Sequence, residues 1–151
     1  TAELVKALFE GDAERVENNL FTLLGKYVSI RNFATNAPKE NYYHSFMNGL
    51  LVNDISLIEE QKSNFESREG YIDLIIKSVR SMGIIVILEL KQTSDENEDK
   101  VLTAMDAVEQ IIRKKYADPF IKRSDIKAVI SYGICFCKKE CSVVGKKLKS
   151  L

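Results

Sequence analysis

The sequence predicts an α/β fold in which a central mixed β-sheet is flanked by helices. Two observations support this. Apolar residues recur at helical spacing in the first 52 residues and again over residues 101–116, whereas three other segments are nearly continuous apolar runs typical of buried strands. The resulting order of helices, strands, helix and strand is typical of a mixed sheet with helices packed against it.

The first 52 residues are predicted to be helical. One apolar stripe precedes Gly11, and a second runs from Val16 to Val28 at helical spacing. The segment at residues 36–38, Asn-Ala-Pro, interrupts the pattern, and a third helix follows it. The residues on the predicted buried side of that helix are Tyr42, Tyr43, Phe46, Leu50 and Leu51.

Strands are predicted at residues 70–76, 84–91 and 128–137, with a short last strand at residues 142–144. The run over residues 84–91 is apolar at almost every position until its last residues. Such a run indicates a strand that is buried on both faces and therefore lies at the centre of the sheet.

A further helix is predicted over residues 101–116. The acidic residues of segment 94–99 precede it and suit the positive N-terminal end of a helix. The side chains expected to face inward are Leu102, Met105, Val108, Ile112 and Tyr116. The sheet core is therefore expected over residues 57–145, within one domain that spans residues 1–151.

Composition is that of an ordinary globular domain. The chain has 151 residues, of which 45% are hydrophobic and 29% charged, so an intrinsically disordered protein is excluded. No apolar run approaches the ~20 residues that a membrane-spanning helix needs. The sequence begins at Thr1 without Met or a signal-peptide pattern, and we expect a domain excised from a larger protein.

Charge is distributed unevenly although the net charge is zero. Residues 1–100 contain 11 basic and 17 acidic side chains, and residues 101–151 contain 11 basic and 5 acidic ones. The last third can therefore present a basic surface to a polyanion. On charge alone, solvated lysines of helices and turns are the simpler interpretation.

The three cysteines are Cys135, Cys137 and Cys141. An odd number argues against a disulfide scaffold and for a reducing compartment such as the cytoplasm. Their spacing suggests a zinc site with His44 as the fourth ligand, but the paired C-x2–4-C hooks usual in structural zinc sites are absent. Reduced cysteines packed in and beside a strand are the favoured interpretation.

Charged residues interrupt two of the predicted strands. Asp73 lies within the first, and Glu89 and Lys91 end the second. Strand side chains alternate, so Glu89 and Lys91 share a face, and Asp73 joins them if the two strands pair. Two neighbouring carboxylates repel each other, and Mg²⁺ or Mn²⁺, which prefer oxygen ligands, would remove that repulsion. The lysine could then orient or deprotonate a water that attacks a phosphodiester.

A structural interpretation of the same residues stays open at this point. Glu89 and Lys91 can satisfy each other as an ion pair at the rim of the sheet, and Asp73 can be a surface residue near a turn. The D…E-x-K pattern by itself does not choose between an active site and such an ion pair.

Four motifs in order make the pattern more specific. An aromatic and His-containing helix covers residues 41–51, an E-S-x-x-G-x-x-D stretch residues 66–73, an E-x-K strand residues 87–91 and a Q-x5-Y helix residues 110–116. With these motifs, the chain resembles the PD-(D/E)XK nuclease superfamily, and most of all its bacterial domains located C-terminal to AAA-ATPase-like domains. The absence of Pro before Asp73 departs from the pattern that gives the superfamily its name.

The resemblance implies a restriction-endonuclease-like core with the element order αβββαβ and an N-terminal helical extension over residues 1–52. The metal ligands that it implies are Asp73, Glu89 and Glu66. The residues implied to act in or to support catalysis are Asp73, Glu89, Lys91, Gln110 and Tyr116. Glu66 as a solvated loop residue, Gln110 as a surface amide and Tyr116 as a core aromatic are the structural alternatives.

Other residues are expected to support the site or to contact nucleic acid. His44, the one histidine, is expected to be a packed, hydrogen-bonded residue that supports the ligands or touches substrate. Contacts with phosphates are expected from Arg113, Lys114, Lys115, Lys122, Arg123 and Lys127. Such contacts weaken with salt and carry no base information, so we expect little sequence specificity.

The expected function is thus a nuclease that depends on Mg²⁺ or Mn²⁺ and cuts phosphodiester bonds, with DNA as the expected substrate. The resemblance also makes a module of a larger bacterial effector or toxin, delivered into a host cell, plausible. A catalytically inactive nuclease fold that binds nucleic acid or protein is the first alternative, and a regulatory domain of a toxin or ATPase is the second. The intact set of Asp73, Glu89 and Lys91 argues against the first.

Overall fold

A computed structural model of the chain describes residues 1–28, 42–52, 54, 56–67 and 70–150, and for residues 64–67 and 70–72 it describes the backbone alone. The predicted interruption at residues 36–38 lies outside the described residues. Among the residues described, no helix combines the length and the apolar character that a bilayer crossing requires.

Helices and strands follow one another in the predicted order, apart from a first strand that the apolar runs did not indicate and a short additional helix before the fourth strand. The helices are α1 (Ala2–Glu10), α2 (Ala13–Tyr27), α3 (Tyr42–Leu51), α4 (Lys100–Arg113) and α5 (Asp118–Ile121). The strands are β1 (Ile58–Ser67), β2 (Gly70–Ser78), β3 (Ile84–Gln92), β4 (Ala128–Cys137) and β5 (Glu140–Lys149). The predicted α/β class with a mixed sheet flanked by helices is confirmed.

The five strands form one sheet in the order β1-β2-β3-β4-β5. Only β3 and β4 run parallel, and the other neighbours are antiparallel. The connection between the parallel strands contains α4 and α5, as a parallel pair requires a crossover. The central position of β3 confirms the prediction made from its continuous apolar run.

Alternation along the strands gives the sheet two different faces. On one face, Leu74 and Leu88 belong to the core formed with α1, α2 and α3. On the other, Ile75 and Ile87 pack with Ile111 of α4 and with residues that follow that helix. The odd-numbered positions of β2 and β3 thus face α4, and the three charged positions of the D…E-x-K pattern are all odd-numbered.

The apolar runs did not predict β1, which only the family resemblance implied. Its sequence, Ile-Glu-Glu-Gln-Lys-Ser-Asn-Phe-Glu-Ser, is mostly polar, and Glu59 and Glu60 are exposed. An edge strand has one paired side and needs no continuous apolar run, and exposed charges discourage pairing with another chain. The other edge strand, β5, extends well beyond the predicted residues 142–144 for the same reason, with exposed Lys146 and Lys147.

The predicted inward face of the helix at residues 101–116 was wrong in part. Leu102 and Met105 are 57% and 47% exposed, and α4 ends at Arg113, before Tyr116. Val108 and Tyr116 are buried as predicted, and the other buried positions of α4 are Ala104, Ala107 and Ile111. Two of these positions are alanines, and there the helix lies very close to the sheet.

Gly133 in β4 makes this close approach possible. A Cβ atom at that position would lie 2.0 Å from the carbonyl oxygen of Ala104 and 2.8 Å from Cβ of Ala107. Gly133 pairs with Glu89 across the parallel ladder. The helix therefore comes closest to the sheet beside the charged end of β3.

Replacing Gly133 with Ala should destabilise the domain by about 1–3 kcal/mol, because the added methyl group overpacks a helix–sheet contact made by backbone atoms. Urea unfolding measures this change. Gly25→Ala is the matched control, since a Cβ there would meet no described atom outside its own helix within 4 Å, and alanine in a helix should raise stability by ~0.5–1 kcal/mol. Wild-type stability in Gly133→Ala would contradict the packing described.

Candidate active site

Asp73 lies where the regular pairing of β2 with β3 ends. The paired residues run from Lys77↔Ile85 to Leu74↔Leu88. One residue further, the side chain of Asp73 makes the contact with β3, and its Oδ2 accepts a hydrogen bond of 2.8 Å from the backbone N–H of Leu90. The carboxylate is therefore held beside the end of β3.

Glu89, Lys91 and Gln110 form a connected group next to Asp73. Glu89 is buried, with 5% of its surface exposed. The amide of Gln110 donates from Nε2 to Oε1 of Glu89 at 3.3 Å and accepts at Oε1 from Nζ of Lys91 at 2.9 Å. Nζ of Lys91 lies 4.0 Å from Oε1 of Glu89. Gln110, on α4, thus bridges the acid and the base of β3.

The carboxyl group of Glu89 is not fully satisfied. Its Oε2 is buried and has no hydrogen-bond partner among the described residues. Burial, followed by the neighbouring carboxylate of Asp73, raises the pKa of Glu89 to about 8, and the ammonium groups of Lys91 and Lys114 oppose that rise. Two adjacent carboxylates repel each other, and a shared proton or a bound cation relieves that repulsion.

The chemistry of this donor set fits a divalent cation. Two carboxyl groups converge, and a buried oxygen of Glu89 has no donor within the described part of the chain. Glu66, the third expected ligand, pairs through its backbone with Tyr71, two residues from Asp73, but its side chain lies outside the description. Among the side chains that are described, no group of three His, Cys, Asp or Glu residues is placed to hold a metal ion.

The structure separates the basic residues expected to contact nucleic acid into two regions. Lys114 follows Gln110 by one helical turn, is half-buried, and acts electrostatically on Glu89. Lys115 follows at once and is exposed. Arg113 ends α4 just before them and is also exposed.

Arg123 lies at the other end of the sheet. Its guanidinium donates to both carboxylate oxygens of Asp125. Lys127, two residues further on, is hydrogen-bonded through its backbone to Gly83 at the start of β3. Six residues of strand, about 20 Å, separate Gly83 from Glu89. Lys122 is the residue just before Arg123, so neither is brought next to the carboxylates.

Tyr116 and His44 approach the sheet from opposite faces. Tyr116 is buried in the core on the α4 side, next to Ile111. His44, on α3, is half-buried, and its Nε2 lies 3.0 Å from the backbone carbonyl oxygen of Asp73. The structure thus places His44 against the backbone of Asp73, and Tyr116 in the core on the face that carries Ile111.

The cysteines are free and buried, as expected for a reduced protein. Cys135 and Cys137 lie on β4 at odd-numbered positions, facing α4, whereas Cys141 belongs to the core on the other face. The sheet therefore separates them, and the zinc arrangement considered from their spacing does not form. Burial raises the pKa of the Cys135 thiol to about 11, which makes it a poor nucleophile.

Two contributors to the site were not predicted from the sequence. Gly133 allows α4 to place Gln110 over Glu89, and the signal was present as a glycine inside an apolar strand. The second is the backbone N–H of Leu90, which donates to the carboxylate of Asp73. A backbone contact of this kind cannot be inferred from the type of side chain at position 90.

A family model described as the PD-(D/E)XK nuclease superfamily matches residues 38–146. The match covers more than half of the 151 residues, so the chain belongs to this superfamily. A comparison with curated proteins gives no match. Membership implies a nuclease acting on nucleic acid, and nucleases of this superfamily typically use divalent metals.

The raised pKa of Glu89 predicts how the stability of the metal-free domain depends on pH. The folded state retains the proton up to about pH 8, whereas the unfolded chain releases it near 4.5. The contribution of protonated Glu89 to the free energy of unfolding is therefore fully present below pH 4.5 and is lost as the pH rises towards 8. In EDTA, the unfolding temperature of the wild type should fall over this range more steeply than that of Glu89→Gln.

Glu96→Gln is the control for this experiment. The ammonium of Lys138 lowers the pKa of that exposed carboxyl group, so the substitution should leave the decline of the unfolding temperature in place. Parallel curves for the wild type and Glu89→Gln would show that Glu89 is not the group that holds the proton.

Proposed function

We propose that this member of the PD-(D/E)XK superfamily hydrolyses phosphodiester bonds in nucleic acid at the site formed by Asp73, Glu89 and Lys91, with Mg²⁺ or Mn²⁺ as cofactor. The observation that carries the proposal is the buried Oε2 of Glu89, which has no hydrogen-bond donor among the described side chains and lies beside a second carboxyl group. A simple ion pair between Glu89 and Lys91 at the rim of the sheet would not explain why Glu89 is buried or why a second carboxyl group lies beside it.

Asp73 and Glu89 would hold the cation, with Glu66 as a third candidate. When bound, a divalent cation supplies positive charge that polarises the phosphate and balances the two carboxylates. Hydrolysis forms a bond from a water oxygen to phosphorus and breaks the bond to one ester oxygen; the water loses a proton and the leaving oxygen gains one.

Lys91 is the catalytic group of the proposal. Its ammonium group has three hydrogens, and the bond to Gln110 uses one of them. About a third of the side chain is exposed, so the other hydrogens can reach a phosphate oxygen or orient the attacking water. A fixed positive donor at this position stabilises the charge that develops on the phosphate. Gln110 keeps the ammonium group in place.

The proposed substrate is DNA, bound through its phosphates. Lys114 and Lys115 lie on the chain directly after the helix that carries Gln110, where they can neutralise phosphates next to the scissile bond. Arg113 is the third member of this group, and Lys122 and Arg123 would contact a longer strand further away. We also propose that the domain works in a reducing compartment, as part of a larger bacterial effector or toxin.

Replacing Lys91 with Ala should lower the turnover of plasmid cleavage by at least ~100-fold, because a charged donor is lost at the reacting phosphate. The unfolding temperature should change little, since the side chain is partly exposed. Cleavage of plasmid, linear and single-stranded DNA with Mg²⁺, Mn²⁺ or EDTA measures the activity and its dependence on metal.

Lys77→Ala is the matched control, because Lys77 is another ion-paired lysine of the sheet, 3.3 Å from Glu59 at the far end of β2. It should retain wild-type cleavage. A wild-type domain that is folded but cuts none of these substrates with either metal would refute the proposed activity and favour a catalytically inactive binding module.

Lys115 provides a test of the proposed nucleic-acid contacts. Its φ of 58° is the left-handed conformation that favours glycine after a helix end. Lys115→Gly should therefore stabilise the fold by about 1 kcal/mol, while binding to DNA weakens and its slope against log salt decreases by about 1. Thermal unfolding and a salt titration of DNA binding measure the two effects.

Lys138→Gly is the control, since Lys138 also has a left-handed φ, of 54°, but is ion-paired with Glu96. It should stabilise the fold without changing the salt slope. Stabilisation of both variants with unchanged DNA binding would exclude Lys115 as a phosphate contact.

A further inference from the structure

His44 connects the N-terminal helices to the candidate active site. Its helix, α3, packs on the sheet face opposite to α4 through buried residues such as Tyr43 and Met47. From there Nε2 of His44 reaches the backbone carbonyl oxygen of Asp73 at 3.0 Å. The contact links α3 to a residue whose carboxylate lies on the other face.

The direction of this hydrogen bond follows from the acceptor. A carbonyl oxygen can only accept, so Nε2 of His44 must carry the hydrogen and donate it. Neutral imidazole supplies that donor with Nδ1 unprotonated. The side-chain amide of glutamine can donate in the same way, whereas leucine fills similar space and has no donor.

Asp73 is anchored at both its backbone and its side chain. His44 holds the carbonyl oxygen, and the N–H of Leu90 holds Oδ2 at 2.8 Å. Regular pairing of β2 with β3 has ended at Leu74↔Leu88, so these two bonds take over from the ladder. Ligand and catalytic groups must be held to within about 0.5 Å, and a loosened backbone would move the carboxylate by more.

We propose that His44 is a positioning residue for Asp73: its Nε2–H fixes the backbone of Asp73 so that the carboxylate stays beside Glu89 in a geometry that binds a divalent cation. This inference rests on the proposed function. It assigns to the N-terminal helical part a direct role in building the site.

The test compares His44→Leu and His44→Gln with the wild type and with Asp73→Ala. Mn²⁺ binding is measured by calorimetry, plasmid cleavage by kcat and KM, and stability by thermal unfolding. His44→Leu should weaken Mn²⁺ binding and lower kcat by about tenfold or more, with the KM for DNA unchanged. His44→Gln should recover most of both, and Asp73→Ala should lose both.

Asn48→Leu is the matched control on the same helix. One turn after His44, Oδ1 of Asn48 accepts a hydrogen bond of 2.7 Å from Nε2 of Gln61 on β1, away from Asp73. Its loss removes a polar contact between α3 and the sheet. Mn²⁺ affinity and kcat should stay at the wild-type values even if the unfolding temperature falls.

The outcomes separate this inference from the proposed function. Wild-type Mn²⁺ affinity and kcat in His44→Leu, with both lost in Asp73→Ala, would overturn the positioning role and leave the nuclease standing. Equal losses in His44→Leu and His44→Gln would also overturn it, because the donor would not matter. A wild-type domain that neither binds Mn²⁺ nor cuts DNA would refute the proposed function and this inference together.

Discussion

The site depends on a carboxyl group, that of Glu89, buried on the central strand beside a second one. Burial of a charge is costly unless it is paired, and two like charges increase the cost. Lys91 and Gln110 compensate only one oxygen of Glu89, and the other has no donor among the described residues. A fold that retains such a residue at its centre is organised to receive a positive charge there, either a proton or a metal ion.

The close contact between α4 and the sheet also positions Gln110, the hydrogen-bond partner of Glu89. Gly133 lets the backbone of α4 approach the sheet, with Ala104 and Ala107 as the small residues in contact. At that distance Gln110 spans from Glu89 to Lys91 with a single amide. Leu102 and Met105, on the opposite side of α4, are exposed.

Sequence reasoning succeeded where geometry is periodic and failed where it depends on distance between elements. Strand alternation is rigid, so the shared face of Glu89 and Lys91 followed from their spacing, and the continuous apolar run located β3 at the centre. The side of α4 that faces the sheet could not be predicted in full, because Gly133, on β4, determines which side of the helix can approach the sheet. The apolar pattern did not indicate β1, because an edge strand needs no apolar run. Backbone contacts such as that of Leu90 cannot be read from the type of side chain.

The location of the site at the end of a ladder explains why both faces of the sheet contribute to it. Where β2 and β3 pair regularly, their backbone groups are hydrogen-bonded to each other and their side chains pack in the core. Beyond Leu74↔Leu88 that pairing stops, and side chains take over the backbone groups: the carboxylate of Asp73 accepts from Leu90, and His44 donates to the Asp73 carbonyl. Backbone groups that lose their partner in a ladder need another one, and at this end of the sheet polar side chains supply it. The polar groups that close the ladder are then already assembled at the site that we propose for a cation and a phosphodiester.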